Sequence, residues 1–526
     1  MKTVGEALIA HLEKRGVDTI FGIPGVHTVE MYRGLADSAI RHITPRHEQS
    51  AGFMADGYAR ATGKPGVCLL ITGPGVTNAI TSMAQARADS VPMLVISGVN
   101  RVATHGHEEG FLHELPNQHA MMSEVSLWSH TLHRAEDLDR VLTRAFTVMT
   151  SARPGPVHIE VPLDVMKQMV DVPDLLPPLP QPTRPAIEPL LETARLLNAA
   201  QRPLILAGGG AVGAASALRV LAERFDAPVV TTTNARGILG GSPLELCASP
   251  SLASVRKVMA EADVVLGVGT QFGRTDYDMY EDGGSPDLSY LIRIDCDAAQ
   301  ISRGRVPDLP IVADAAIAIA ALVDVTGGIS KTHDAEQRVM DCLDAAIAEI
   351  GETYAAQIAM LHMIRDVIPG VRIVGDSTQA VYAGNLVCQM NRPRSWFNAA
   401  TGYGALGFGA PAAIGAALGD PEAPVVCLTG DGGLQFVMSE LGTAMDEKTP
   451  VIFVVWNNNG YQEIERFMVD NAIKPEGVKP TAPNFLQVAQ AYGMPGERIE
   501  GTATLASALE RAKAAGSAYL IDMIVD

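Results

Sequence analysis

The chain has 526 residues, of which 47% are hydrophobic, 19% charged and 5% aromatic. That length exceeds one hydrophobic core and suits three domains of about 150–200 residues. A net charge of −19 argues against a nucleic-acid partner, whose phosphates need a basic face, and reads as a solubility feature.

The first residues, MKTVGEALIAHLEKRG, predict an amphipathic helix in which Glu6, Glu13, Lys14 and Arg15 interrupt any signal-peptide core. No run of 18 uncharged apolar residues predicts a membrane span. The six cysteines (Cys68, Cys247, Cys296, Cys342, Cys388 and Cys427) form no CxxC pair. They predict buried free thiols in a reducing compartment, and hence a cytoplasmic protein.

Along the chain, short apolar runs alternate with helical patterns. They are GVCLLITG (66–73), PMLVISG (92–98), RPLILAGGG (202–210), ADVVLGVG (262–269), PVVCLTGDG (424–432) and PVIFVVWNNNG (450–460). Continuous apolar strands followed by Gly and then a helix predict parallel sheets covered on both faces. Residues 172–189 contain seven prolines and predict an extended surface linker. A polar stretch over 326–360 predicts a second connection. The expectation is an α/β chain of three doubly wound parallel-sheet domains, at 1–170, 185–325 and 355–526.

Two polar clusters fall at predicted carboxyl ends of strands in the last block, where open α/β sheets bind ligands. The first is Gly430-Asp431-Gly432-Gly433. The second, Asn457-Asn458-Asn459-Gly460, follows the next strand, with a helix through SELGTAM between them. Mg2+ favours an octahedron of hard oxygens, one or two from protein and the rest from water and ligand phosphates. Asp431 offers a carboxylate, Asn458 a side-chain carbonyl and Gly460 a main-chain carbonyl. Gly432 and Gly433 lack a Cβ, so a diphosphate can approach their N–H groups at a helix start. Either cluster alone also fits a plain turn; the pair, 27 residues from Asp431 to Asn458, resembles the thiamine-diphosphate signature.

GVDTIFGIPG (16–25) and RHEQSAGFMADGYARATGKPGVCLLITGPGVTNAI (46–80) strengthen the match. They resemble the pyrimidine-binding domain of the acetolactate synthase and 2-oxo acid decarboxylase superfamily, with RPGPVHIEVPLDV (153–165) similar to its closing strand. The resemblance implies thiamine diphosphate and Mg2+ as cofactors. It makes Glu48 the carboxylate beside the aminopyrimidine ring, although a glutamate before a helix can equally be a surface residue. Asn78 becomes a candidate for the same region. GDSTQAVYAGN (375–385) implies Ser377 and Thr378 at the diphosphate, joined by Tyr461. TGYGALGFGAPAAIGAALG (401–419) implies the Gly404 carbonyl at the exocyclic amine and Leu406 as the wedge that bends the cofactor, against the alternative of an ordinary core leucine. In this family the cofactor lies between the first block of one subunit and the third block of another, so the resemblance implies a homodimer or homotetramer with small-molecule sites at the subunit interface.

Residues 208–213, Gly-Gly-Gly-Ala-Val-Gly, satisfy a dinucleotide-binding spacing, but no acidic residue follows at a convincing strand end. Acetolactate synthases bind FAD in this middle domain; GTQFGRTDYD (269–278) departs from their GxRFDDR-like stretch, so FAD stays open but is disfavoured. For the reaction, GIPGVHTVEMYRG, ITPRHEQ and LHELPNQ together most resemble 5-guanidino-2-oxopentanoate decarboxylases. Glu114 and the Gln462–Glu465 stretch could pair with a guanidinium, or simply be solvated. His27, His113 and Glu463 are candidate proton relays or pocket groups. The alternatives are acetolactate synthase-like carboligation of pyruvate and a non-catalytic dinucleotide binder. The His-rich segment 104–119 lacks the H-E-x-x-H spacing of a zinc site and also reads as a polar loop.

Overall fold

The computed structural model describes residues 1–279, 281, 283–327 and 334–525, so part of the second predicted connection, 328–333, lies outside the described residues. The chain divides into two compact units. One comprises Met1–Gln181, Gly402–Ile499 and Arg511–Asp526; the other comprises Pro182–Thr401 and Glu500–Glu510.

The first block of the chain contributes strands β1 (Lys2–Thr3), β2 (Thr19–Gly22), β3 (Arg41–Ile43), β4 (Gly66–Leu70), β5 (Met93–Val99), β6 (Trp128–Thr131), β7 (Pro156–Pro162) and β8 (Met169–Val170). Strands β2 to β7 form a six-stranded sheet in the order β3-β2-β4-β5-β7-β6, parallel throughout, while β1 and β8 make a short antiparallel ribbon. Central strands β4, β5 and β7 are buried along their whole length, as the continuous apolar runs require. Val67, Leu69, Leu94, Ile96, Val157 and Ile159 share one core with Leu8, Leu12, Leu142 and Phe146 of the helices on that side.

The same unit holds β17 (Val425–Gly430), β18 (Val451–Asn457), all but the last residue of β19 (Gly496–Glu500), and β20 (Tyr519–Ile524) of the last block, with β18 parallel to both β17 and β20. Within this unit the helix Glu48–Thr62 lies against the helix Gly409–Gly419 at unusually close range. A Cβ on Gly57 would stand 2.0 Å from the Ala412 carbonyl oxygen, and one on Gly415 would stand 1.9 Å from that of Met54. Glycine is therefore what lets the two backbones touch.

In the second unit, β9 (Pro203–Ala207), β10 (Val229–Thr231), β11 (Glu245–Leu246), β12 (Val264–Val268), β13 (Leu291–Asp295) and β14 (Leu309–Val312) form a parallel sheet in the order β11-β10-β9-β12-β13-β14. Alternate residues point to two different cores: Ile205, Ala207, Leu266 and Ile292 on one side, Leu204, Leu206, Val265 and Leu291 on the other. This is a doubly wound sheet, with its topological switch between β9 and β12. The unit also holds the parallel pair β15 (Arg372–Gly375) and β16 (Trp396–Asn398) of the last block. The three parallel-sheet domains of the sequence reading are present.

Local differences have simple causes. The Gly208–Gly213 turn does not open directly into an α-helix. It forms a 3-10 turn, Gly209–Ala214, before the helix Ala215–Phe225. The helix expected through SELGTAM is Glu440–Asp446, and a separate short helix, Asp431–Gln435, precedes it directly after β17. Five of the cysteines are buried free thiols as expected, whereas Cys296 is only half-buried. The proline-rich segment is irregular and largely exposed until the helix Ile187–Ala199.

Candidate active site

Glu48 opens the helix Glu48–Thr62, where the positive end of the helix dipole favours an acid. His47 caps that helix by accepting a hydrogen bond from the Gln49 N–H. The following helix, Pro74–Ala88, starts at Gly73, whose φ of 65° favours glycine, with Pro74 pre-set at the first helical position. The two helices meet at Gly52, where a Cβ would lie 1.9 Å from Ser82 Oγ. That approach brings Asn78 Nδ2 to donate to Glu48 Oε2 at 2.9 Å. Two residues drawn from separate motifs therefore form one hydrogen-bonded pair.

His27 and His113 form a second grouping, with ring centroids 5.2 Å apart and planes tilted by 35°. His113 has a φ of 59°, in the left-handed region. His27 is buried, and burial together with the neighbouring His113 lowers its pKa, so its imidazole is neutral at pH 7. The Nδ1 atoms of both rings are buried without a hydrogen-bond partner.

Gln118, within the LPNQH segment, escaped the sequence reading. It is buried, and its Oε1 accepts from the Thr72 hydroxyl at 2.7 Å and the Gly73 N–H at 3.1 Å. Its Nε2 donates to Ser97 Oγ, the Gly98 carbonyl and Glu160 Oε2, the last at 2.8 Å. It thus ties together the carboxyl ends of β4, β5 and β7. No composition or spacing signal separates a buried glutamine from a solvated one, so only the fold reveals it. Glu114 is engaged differently from the guanidinium-pairing role considered for it. Its Oε2 accepts from the Gly110 and Phe111 N–H groups and closes the loop locally.

The third grouping sits at the ends of β17 and β18. Asp431 is buried, its Oδ2 has no hydrogen-bond partner, and burial raises the carboxyl's pKa even though nearby main-chain N–H groups oppose the shift. Asn458 Oδ1 lies 3.2 Å from Asp431 Oδ1 and 2.8 Å from the Gly460 carbonyl oxygen. With the amide turned the other way, its nitrogen donates to both oxygens. The first orientation gathers three hard oxygens beside an unpartnered carboxylate oxygen, a donor set that fits Mg2+. The same residues satisfy one another by hydrogen bonds in the second.

The loop that carries these groups is braced from below. Asn457 Nδ2 donates to Asp522, which is held by Arg498 Nη2 at 2.7 Å, and the Tyr461 N–H donates to the Val478 carbonyl. The Tyr461 ring covers Gly432 so closely that a Cβ there would stand 2.4 Å from Cε1. Gly433 is buried beside it.

Gly404 (φ 77°) and Gly407 (φ 83°) flank half-buried Leu406, and the Ala405 N–H donates to Gln85 Oε1 at 3.2 Å. Glu463 lies half-buried in the helix Gln462–Asp470, where its neighbour Glu465 pairs with Lys479 at 2.8 Å. In the second unit, Ser377 and Thr378 follow β15, and Thr378 starts the helix Gln379–Leu386. The Ser377 N–H donates to Asp376 Oδ1 at 2.8 Å. Among the described residues no cluster of three or more His, Cys, Asp or Glu could hold a metal, and no helix is long and apolar enough to cross a membrane.

Three parallel α/β domains, with polar loops gathered at strand carboxyl ends, define a ligand-binding α/β architecture. The family follows from comparison. Residues 2–121 match the thiamine pyrophosphate enzyme N-terminal TPP binding domain, 190–322 the central domain and 376–523 the C-terminal TPP binding domain. The chain belongs to the thiamine pyrophosphate enzymes. It is 42% identical over 497 residues to a probable 2-ketoarginine decarboxylase of Pseudomonas aeruginosa, covering 93% of this chain and 88% of that one. It is 30% identical over 515 residues to the acetolactate synthase isozyme 1 large subunit of Escherichia coli, covering 94% and 88%. A probable acetolactate synthase large subunit of Methanocaldococcus jannaschii is also 30% identical, over 554 residues covering 99% and 91%.

Proposed function

We propose that this enzyme is a thiamine-diphosphate- and Mg2+-dependent decarboxylase of a 2-oxo acid, acting on 5-guanidino-2-oxopentanoate to give 4-guanidinobutanal and CO2. The observation that carries the reading is the 42% identity, over 93% of the chain, to a relative described as a probable 2-ketoarginine decarboxylase, against 30% to the two acetolactate synthases. The orphaned Asp431 oxygen and the converging Asn458 and Gly460 oxygens support Mg2+ as the ion.

In this reading Asp431, Asn458 and the Gly460 carbonyl hold the metal. Gly432, Gly433, Tyr461, Ser377 and Thr378 receive the diphosphate. Leu406, the Gly404 carbonyl, Asn78 and Glu48 orient the pyrimidine end. The bound cofactor supplies a nucleophilic carbon and an electron sink for the departing CO2. Glu48 holds a proton at the pyrimidine ring, and the Asn78 hydrogen bond keeps its carboxylate aimed. The neutral His27 imidazole accepts and returns a proton at the substrate end with His113, and Glu463 faces the cationic tail.

The active unit is a cytoplasmic homodimer or homotetramer with domains at 1–170, 185–325 and 355–526, and with Glu48 and Asp431 of one site contributed by different subunits. No obligatory FAD belongs to this reading. At the switch point of the middle sheet the Gly210 N–H donates to the Gly269 carbonyl at 3.0 Å, which takes one N–H of the glycine turn away from a pyrophosphate. Carboligation of pyruvate is the second reading, favoured by acetolactate synthase relatives that align over 99% of the chain.

Steady-state turnover on 5-guanidino-2-oxopentanoate, pyruvate and benzoylformate separates these readings. The highest kcat/KM on the guanidino acid supports the proposal, and a preference for pyruvate overturns it.

A further inference from the structure

We propose that Gln118 is the positioning residue that sets the spacing of the His27–His113 pair. A Cβ on Gly73 would lie 2.7 Å from the His113 carbonyl oxygen, and one on Gly98 would lie 2.6 Å from that of His27. The two histidine backbones therefore rest directly on the backbones of Gly73 and Gly98. Gln118 is bonded to both of those supports: its Oε1 accepts from the Gly73 N–H at 3.1 Å, and its Nε2 donates to the Gly98 carbonyl at 3.1 Å.

One planar amide thus clamps the platform under each imidazole, and it is itself locked. Thr72 donates to its oxygen, while Ser97 and Glu160 accept from its nitrogen. Glu160 is held in turn by the Thr131 hydroxyl at 2.6 Å, and Ser97 by His158, whose own partner is Ser129. His158 is fully buried and its pKa is pushed down to about 3, so the chain from Ser97 to Ser129 is neutral and cannot lend His27 a charge. Gln118 touches neither imidazole in this network and acts through the backbone alone.

The proposal rests on the reading of His27 and His113 as proton-handling groups, and the test separates the two. The isosteric Gln118→Met removes all five hydrogen bonds of the amide; Thr72→Val removes one and serves if the first variant does not fold. In the holoenzyme, histidine ring carbons labelled for NMR and assigned with His27→Gln and His113→Gln report the titration of each imidazole, while steady-state kinetics report kcat and KM. Expected in Gln118→Met are shifted titrations of His27 and His113, an unshifted His42, and a kcat about 10- to 100-fold lower with KM within about twofold, since a displacement near 1 Å is enough for such a loss. Thr72→Val gives the same changes in smaller measure. Unchanged titrations of both imidazoles in a folded variant overturn the positioning role, whatever the turnover. Shifted titrations with full turnover support the positioning role and overturn instead the proton-handling reading on which it was built.

Discussion

Gly57→Ala sets two forces against each other with opposite signs. Gly57 lies inside the helix Glu48–Thr62, where alanine is favoured over glycine by about 1 kcal/mol, so propensity alone predicts a more stable protein. The structure predicts the reverse. The new Cβ would stand 2.0 Å from the Ala412 carbonyl oxygen, 2.6 Å from its carbon and 2.8 Å from its Cα, all main-chain atoms that no rotamer change can move. Relief to an ordinary contact requires the two helices to part by about 1 Å along their closest line. Overpacking of this kind costs about 1–3 kcal/mol, and more where backbone must move. With main-chain atoms in the way the cost falls at the upper end, about 2–3 kcal/mol, so the net expectation is destabilisation by about 1–2 kcal/mol, a fall of roughly 2–8 °C in the first unfolding transition. Thermal unfolding of the protein with and without thiamine diphosphate measures it. Gly213→Ala is the control, because its Cβ would meet nothing closer than the Ala316 methyl at 3.8 Å. A transition at or above that of the unsubstituted protein would refute the close helix contact and with it the seating of Glu48.

Other substitutions probe the chemistry. Glu48→Gln keeps the shape and the Asn78 contact but removes the proton-holding charge, so turnover falls by about 10²–10⁴-fold while thiamine diphosphate binding, followed by fluorescence titration, persists. Gly432→Ala places a Cβ 2.4 Å from Tyr461 Cε1; the ring is displaced, and Mg2+-supported cofactor affinity falls about tenfold or more in a protein that still unfolds cooperatively. Glu245, fully buried and accepting from the Gly237 and Leu239 N–H groups, has its pKa raised to about 7 by burial. A carboxyl raised in the folded state contributes its stability below the unfolded value of 4.5 and loses it as pH rises to about 7. The unsubstituted protein should therefore lose roughly 3 kcal/mol across that window, and Glu245→Gln should flatten the slope in a melting-temperature series.

The sheet strands were legible because strands buried on both faces leave continuous apolar runs, and GVCLLITG, ADVVLGVG and PVIFVVW became β4, β12 and β18. The meeting of Asp431, Asn458 and Gly460 was legible because polar residues directly after two continuous apolar strands lie together at the carboxyl edge of a parallel sheet. Contacts made through backbone were not. Nothing in the sequence distinguishes Gly57 and Gly415, which let two helices touch, from Gly213, whose Cβ would make only an ordinary contact with the Ala316 methyl. The meeting of His27 with His113 joins segments 86 residues apart through close backbone contacts with Gly98 and Gly73, which no sequence spacing records. Gln118 stayed hidden for the same reason: its five partners lie on segments around residues 72, 97 and 160, joined only by the order β4-β5-β7. The local role of Glu114 was hidden because sequence does not reveal that the Gly110 and Phe111 N–H groups both donate to its Oε2.

The most direct test of the account is the product balance when the enzyme, supplied with thiamine diphosphate and Mg2+, consumes 5-guanidino-2-oxopentanoate. One 4-guanidinobutanal released per CO2, with no coupled hydroxy-oxo acid formed when pyruvate is also present, is the result predicted for a decarboxylase. CO2 release without aldehyde, accompanied by a coupled product, would contradict it and make the enzyme a carboligase.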